Sequence, residues 1–261
     1  VRRRPLDNTA PIVAFPTALL LLFILAPLAA LFLRTTPASF FAALQRSDVL
    51  TALRLSLQTT SVTLLCAIAL GTPAAYLLAR FSFPGQRLVD ALVDLPIVVP
   101  PAVAGVALLI AFGRRGLFAP ALDAVGIQLS FTTAAVVLAQ LFVASPFYVR
   151  AARSGFLAVD QRLEEASATL GSSRLATFWR VTVPLALPSL IGGAVLTWAR
   201  ALGEFGATIM FAGNLVGVSQ TMPLAVYLNL ESGDISAAVA VSVILVSASL
   251  GVLLVVRLAE R

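Results

Sequence analysis

The chain has 261 residues, of which 59% are hydrophobic and 11% charged, against roughly 45–50% and about 25% in soluble proteins. Its mean hydropathy of +0.99 means more apolar surface than a soluble domain of this length can hide, so the excess faces lipid and the soluble-enzyme classes are excluded. All 18 positive charges are arginine and the net charge is +6; without lysine there is no P-loop or Schiff base, and without histidine no histidine metal or acid–base site.

A helix that crosses a bilayer needs about 20 mostly apolar residues. Runs of that kind at 15–33, 56–79, 95–112, 131–149, 181–211 and 235–256 predict six spans in one transmembrane domain covering 1–261. The first run follows Arg2, Arg3 and Arg4, which look like the start of a signal peptide. Its 19 residues exceed the roughly 7–15 of a signal-peptide core, so it reads as a retained span. Cys66, the single cysteine, sits inside the second run, which excludes an internal disulfide and a four-cysteine zinc site. Pro96, Pro100 and Pro101 cluster at the start of the third run, each removing a backbone donor. Beyond 205 the chain stays uncharged to 230 but carries Gly213, Asn214, Gly217, Gln220 and Pro223, so the second half of that stretch reads as a loop or re-entrant hairpin.

Arginine placement sets the expected orientation. Arg34, Arg46, Arg54, Arg114 and Arg115 fall on one side and Arg200 inside the fifth span, leaving twelve arginines on the other side. Both termini are therefore expected in the cytoplasm. The inner loop 150–180 is the longest charged segment. Asp160 can cap a helix opening Gln161-Arg162-Leu163-Glu164-Glu165, and the two glutamates complement its dipole. Leu163, Ala166 and Leu170 share one face, and Gly171 can take the left-handed conformation that ends a helix. Ser172-Ser173 leads into a second amphipathic piece, and Pro184 marks the entry to the fifth span. Such a helix could rest on lipid headgroups; its short length, its acidic residues and its tethers at both ends favour docking into a groove on a partner protein.

These residues carry a resemblance. Glu165-Ala166-Ser167, Gly171 and Val181-x-Val183-Pro184 resemble, in order and spacing, the EAA loop of ABC-importer permeases. Ser167 stands for the second alanine, and Val181 and Val183 for isoleucine and leucine. Asp94 to Pro101 with Gly113-Arg114-Arg115-Gly116, Ala199 to Thr208 with Phe211-Ala212-Gly213-Asn214, and Gln220 to Tyr227 are similar to molybdate permeases. Sulfate and thiosulfate permeases share much of this and remain the alternative within the class.

The resemblance implies an all-α membrane protein with the type I ABC-importer permease fold. It implies the transmembrane subunit of an ATP-driven, binding-protein-dependent oxyanion importer of the prokaryotic inner membrane, with molybdate or tungstate as cargo. The partners would be a second copy of the chain, two ATP-binding cassette ATPase subunits holding ATP and magnesium, and an extracytoplasmic oxyanion-binding protein. The chain itself would be no enzyme and would hold no cofactor or metal. Leu163, Glu164, Glu165, Ala166, Ser167, Leu170 and Gly171 would form the ATPase-coupling element. Pro100, Pro101, Arg200, Gly203, Glu204 and Gly206 would line or gate the pathway, and Asn214 and Gln220 would meet the binding protein or cap loop backbone.

Arg200 and Glu204 are the only ionisable residues deep in the fifth run, where a charge costs roughly 2.5–3.5 kcal/mol on insertion scales. Their i, i+4 spacing lets them pair on one helical face, with or without a role in transport. Ala199, Gly203 and Ala207 make a small-residue ridge suited to close approach by a symmetry mate. A different class, the stand-alone secondary transporter or channel, would favour inverted repeats and several intramembrane carboxylates; no clear repeat is visible, and Glu204 is the one deep acid.

Overall fold

The apolar runs become helices, and their ends fall where paired charges, prolines and glycines put them. The structure, a computed structural model, describes residues 10–259; Arg2, Arg3, Arg4 and Arg261, which enter the charge balance, lie outside the described residues. In chain order the helices are α1 (Ala10–Arg34), α2 (Pro37–Gln45), α3 (Ser47–Arg80), α4 (Gln86–Val98), α5 (Pro101–Phe112), α6 (Ala119–Ala124) and α7 (Thr133–Ala158). They continue with α8 (Gln161–Thr169), α9 (Arg174–Thr177), a π-helical turn (Phe178–Thr182), α10 (Val183–Leu202), α11 (Gly206–Ala212), α12 (Met222–Glu231) and α13 (Ile235–Ala259).

The centre is a three-helix bundle of α3, α7 and α10. Ala67, Ala75, Tyr148, Ala152, Phe156, Ala186 and Leu190 are buried together there. α3 and α7 run in the same direction: Thr63 meets Gln140, and Thr72 meets Tyr148 nine residues further along α3. α10 runs the other way, with Ser189 against Gly155 and Gly193 against Ala151. A second cluster joins Ala104 and Leu108 of α5, Ala135, Val136 and Ala139 of α7, and Ala207 and Phe211 of α11. A third joins α2, the start of α3, α12 and α13 through Ala43, Val49, Met222 and Val241. α1 leans on α13 and leaves long apolar side chains such as Phe23 and Leu33 exposed, as a lipid-facing helix does.

Among the described residues, five helical stretches, Val13–Arg34, Ser47–Arg80, Thr133–Ala158, Arg174–Leu202 and Ile235–Leu254, are long and apolar enough to cross a membrane, and the bent pair α4–α5 makes six if it counts as one span. Four of the predicted spans change shape. The second begins nine residues earlier, because Ser47 to Leu55 is already helical; at 34 residues α3 is about 51 Å long, well beyond a hydrocarbon core of about 30 Å. The fourth runs nine residues past 149, shortening the loop placed at 150–180. Arg150 and Arg153 stay helical, with their charges met by Asp94 (3.1 Å) and Asp90 (2.7 Å) of α4.

The third predicted span is not one straight helix. The chain bends by 114° between α4 and α5, and the twelve residues of α5 rise only about 18 Å. Adjacent Pro100 and Pro101 lack the N–H groups that would continue the ladder of α4, and their rings exclude the preceding turn. Val99 before them is extended (φ −69°, ψ 127°), the conformation a following proline favours. The fifth span, predicted over 181–211, is likewise divided, with α10 ending at Leu202 and α11 starting at Gly206.

Candidate functional site

At the end of the bundle where α3 and α7 finish, α8 lies between α7 and α10. Asp160 caps it, its Oδ1 accepting from Arg162 N at 3.0 Å. Its other end closes as a Schellman motif: Gly171 N donates to Ala168 O (2.9 Å) and Ser172 N to Ser167 O (3.1 Å). Gly171 has φ +87°, a conformation that disfavours any residue with a Cβ.

The seven residues expected to couple to an ATPase divide between two faces. Leu163, Glu165, Ala166 and Leu170 are exposed, Leu170 at 87%. Glu164 and Ser167 turn inward. Glu164 Oε1 accepts from Arg80 Nη2 (2.9 Å) and from Thr182 Oγ1 (2.7 Å), and Ser167 Oγ shares a hydrogen bond with Thr177 Oγ1 (3.0 Å). The apolar stripe therefore faces away from the chain, and the polar face holds α8 to it.

The second group is split between surface and interior: Pro100, Pro101 and Gly203 are exposed, Arg200 and Gly206 half-buried, and Glu204 buried. Pro101 and Gly206 begin two parallel helices in contact: a Cβ on Gly206 would stand 3.0 Å from Pro101 Cβ and 3.1 Å from Ala102 N. One turn on, a Cβ on Gly105 would meet Ala207 O and Met210 Cβ at 2.7 Å. Glu204, only 1% exposed, pairs through Oε2 with Arg200 Nη1 at 2.6 Å, while its Oε1 accepts from Ala207 N at 2.9 Å. The pair forms across the break between α10 and α11, and Glu204 also satisfies a free donor in the first turn of α11. The expected ridge of Ala199, Gly203 and Ala207 does not exist as one helical face. Gly203 is the exposed residue after α10, and Ala207 is buried against α5. The reason is that α10 stops one residue short of Gly203.

The chain as a whole is similar to known proteins. Residues 67–261 match the family described as "Binding-protein-dependent transport system inner membrane component". The chain belongs to that family. It is 43% identical over 226 residues to the molybdenum transport system permease protein ModB of Mycobacterium bovis, covering 87% of this chain and 85% of that one. It is 38% identical over 253 residues to the molybdate/tungstate transport system permease protein WtpB of Thermococcus kodakarensis, covering 96% of each. In fold it is similar to a crystal structure of a bacterial ABC transporter involved in the import of the acidic polysaccharide alginate, with a TM-score of 0.78 at 15% identity over 98% of this chain and 96% of that one. Family membership sets aside the stand-alone transporter or channel, because these systems depend on a binding protein.

In this permease Asn214 and Gln220 belong to a loop that folds over the bundle. Asn214 Nδ2 donates to Leu224 O at 3.3 Å, and Gln220 is buried at 3% exposure. Thr133 and Ser56 hold the same loop, through Val218 O (2.7 Å) and Met222 N (2.7 Å). Sequence reasoning missed three residues that complete the groups above. Arg80 read only as an inner charge, and its partner Glu164 is 84 residues away. Thr182 occupies the unspecified position between Val181 and Val183, and Gly105 lies unmarked in an apolar run.

Proposed function

We propose that this permease is the membrane subunit of an ATP-driven importer of molybdate and the chemically similar tungstate. Two copies would enclose the pathway, with two ATP-binding cassette subunits, carrying ATP and magnesium, docked at the α8 end and an extracytoplasmic binding protein at the other. The α8 end and both termini would then be cytoplasmic. The observation that carries the reading is α8 itself: a helix whose apolar face is exposed while its polar face is fastened to the end of α3 and the root of α10. A nine-residue helix with that asymmetry is suited to receive a push from a partner and deliver it to the bundle. The choice of anion is supported by the relatives, a molybdenum permease at 43% identity and a molybdate/tungstate permease at 38%.

In mechanism, ATP closes the two ATPase subunits and draws the paired α8 helices together, and the bundles open outward to the loaded binding protein. Hydrolysis reverses the motion. Arg200 is held by Glu204, so no free cation stands in this part of the chain to trap a dianion, and conduction needs weak contacts. Selection then resides in the binding protein. The test is uptake of molybdate by the reconstituted complex, with tungstate and sulfate as competitors. Uptake that requires ATP hydrolysis and is blocked by tungstate but not sulfate is the expected result. Preferential uptake of sulfate overturns the anion, and uptake without nucleotide overturns the class.

A further inference from the structure

We propose that the π-helical turn Phe178–Thr182 sets the register of a two-point joint between α8 and the root of α10, in which Glu164, Arg80 and Thr182 act as positioning residues. The proposal rests on the reading that α8 receives a stroke from an ATPase. Glu164 and Ser167 are three apart on α8 and so share a face. Their partners on the other side, Thr182 and Thr177, are five apart. In an α-helix each residue turns by about 100°, so residues five apart point roughly 140° away from each other and could not both meet one face of α8. The turn here steps i to i+5, with Val183 N donating to Phe178 O. That step brings Thr177 and Thr182 toward the same side. π-turns are rare and concentrate at functional positions; here the extra residue aligns two hydroxyls with α8.

The joint extends beyond α10. The Glu164 oxygen bonded by Thr182 also takes Arg80, the last residue of α3, and Arg80 Nη2 donates in turn to Val159 O, just past the end of α7, at 3.1 Å. The Arg80 side chain is 6% exposed and that of Glu164 16%. One carboxylate oxygen thus joins the end of α3 to the root of α10, and Arg80 carries the link on to the end of α7. With both points made, α8 cannot roll about its own axis; with one lost, it is left with a single tie and its backbone tethers.

The test uses the complete complex in proteoliposomes, comparing wild type with Glu164→Gln, the near-isosteric Thr182→Val, and Thr182→Ser. Spin labels at Gln161 and Leu187, in a Cys66→Ser background, report the separation of α8 and α10. We expect Thr182→Val and Glu164→Gln to assemble and hydrolyse ATP while solute moved per ATP falls about tenfold, on the scale of one charge-assisted hydrogen bond. Thr182→Ser, which keeps the hydroxyl, retains wild-type coupling. The label distance stays narrow in wild type with and without nucleotide and broadens in Thr182→Val. Unchanged solute per ATP in both variants beside ATP-driven wild-type uptake, or a narrow distance in Thr182→Val, overturns the joint alone. Nucleotide-independent uptake by wild type sinks the transport reading and the joint with it.

Discussion

Glu164 and Glu165 are adjacent and chemically alike, yet a rotation of about 100° on the helix separates an anchor from an exposed charge. Glu165, facing outward with Leu163, Ala166 and Leu170, is available to a partner. Glu165→Arg should therefore leave insertion and complex assembly intact while ATP hydrolysis no longer drives uptake, and normal uptake in that variant would remove the residue from the contact. Glu204 makes the complementary case. With its carboxylate at 1% exposure and bonded to both Arg200 and Ala207 N, Glu204→Gln should lower stability by about 1–3 kcal/mol, the scale of a charge-assisted hydrogen bond, since Arg200 keeps partial access to solvent. Thermal unfolding of the detergent-solubilised protein measures it, and an unshifted midpoint would show that the pair contributes nothing. The resemblance to the EAA pattern marked Glu165 and Gly171, and the cap rules marked Asp160. The inward role of Glu164 was not legible, because nothing in the local pattern says which of two neighbouring glutamates meets a residue 84 positions away.

At the scale of elements, boundaries drawn from uncharged runs stopped too early where charges are neutralised by partners. α7 carries Arg150 and Arg153 inside a regular helix since Asp94 and Asp90 lie opposite, and such pairs are invisible until α4 is placed. The prolines were legible as an interruption, though not as a turn of 114°. The contact of α5 with α11 depends on Gly105, where an added Cβ would press on the carbonyl oxygen of Ala207 at 2.7 Å. Backbone cannot yield as a flexible side chain does, so Gly105→Ala should destabilise by about 1–3 kcal/mol, as overpacking does, and should reduce uptake by separating the two short helices. A thermal midpoint and uptake rate equal to wild type would show that α5 and α11 move apart freely.

For the whole molecule the prediction concerns sidedness. Leu170 is 87% exposed at the α8 end. A cysteine there, in the Cys66→Ser background and with the ATPase subunits not expressed, should react with a membrane-impermeant thiol reagent in inside-out vesicles and not in intact cells. Labelling in intact cells would invert the topology and with it the placing of the ATPases. Helix length and apolar content were readable without coordinates because the bilayer imposes the same demand on every crossing: enough apolar residues to span it, with all backbone groups bonded internally.

The sequence by itself therefore determined the class of the protein, the near-positions of its crossings and the exposed motif on α8, since each depends on composition or on spacing within a few helical turns. Only the tertiary structure decided that α4 turns sharply into α5, that the fifth crossing breaks between Leu202 and Gly206, and that Glu164 binds Arg80 and Thr182. Those outcomes depend on which helices become neighbours. An ion pair or a backbone contact between segments far apart in the chain has an energy that no local stretch of residues encodes.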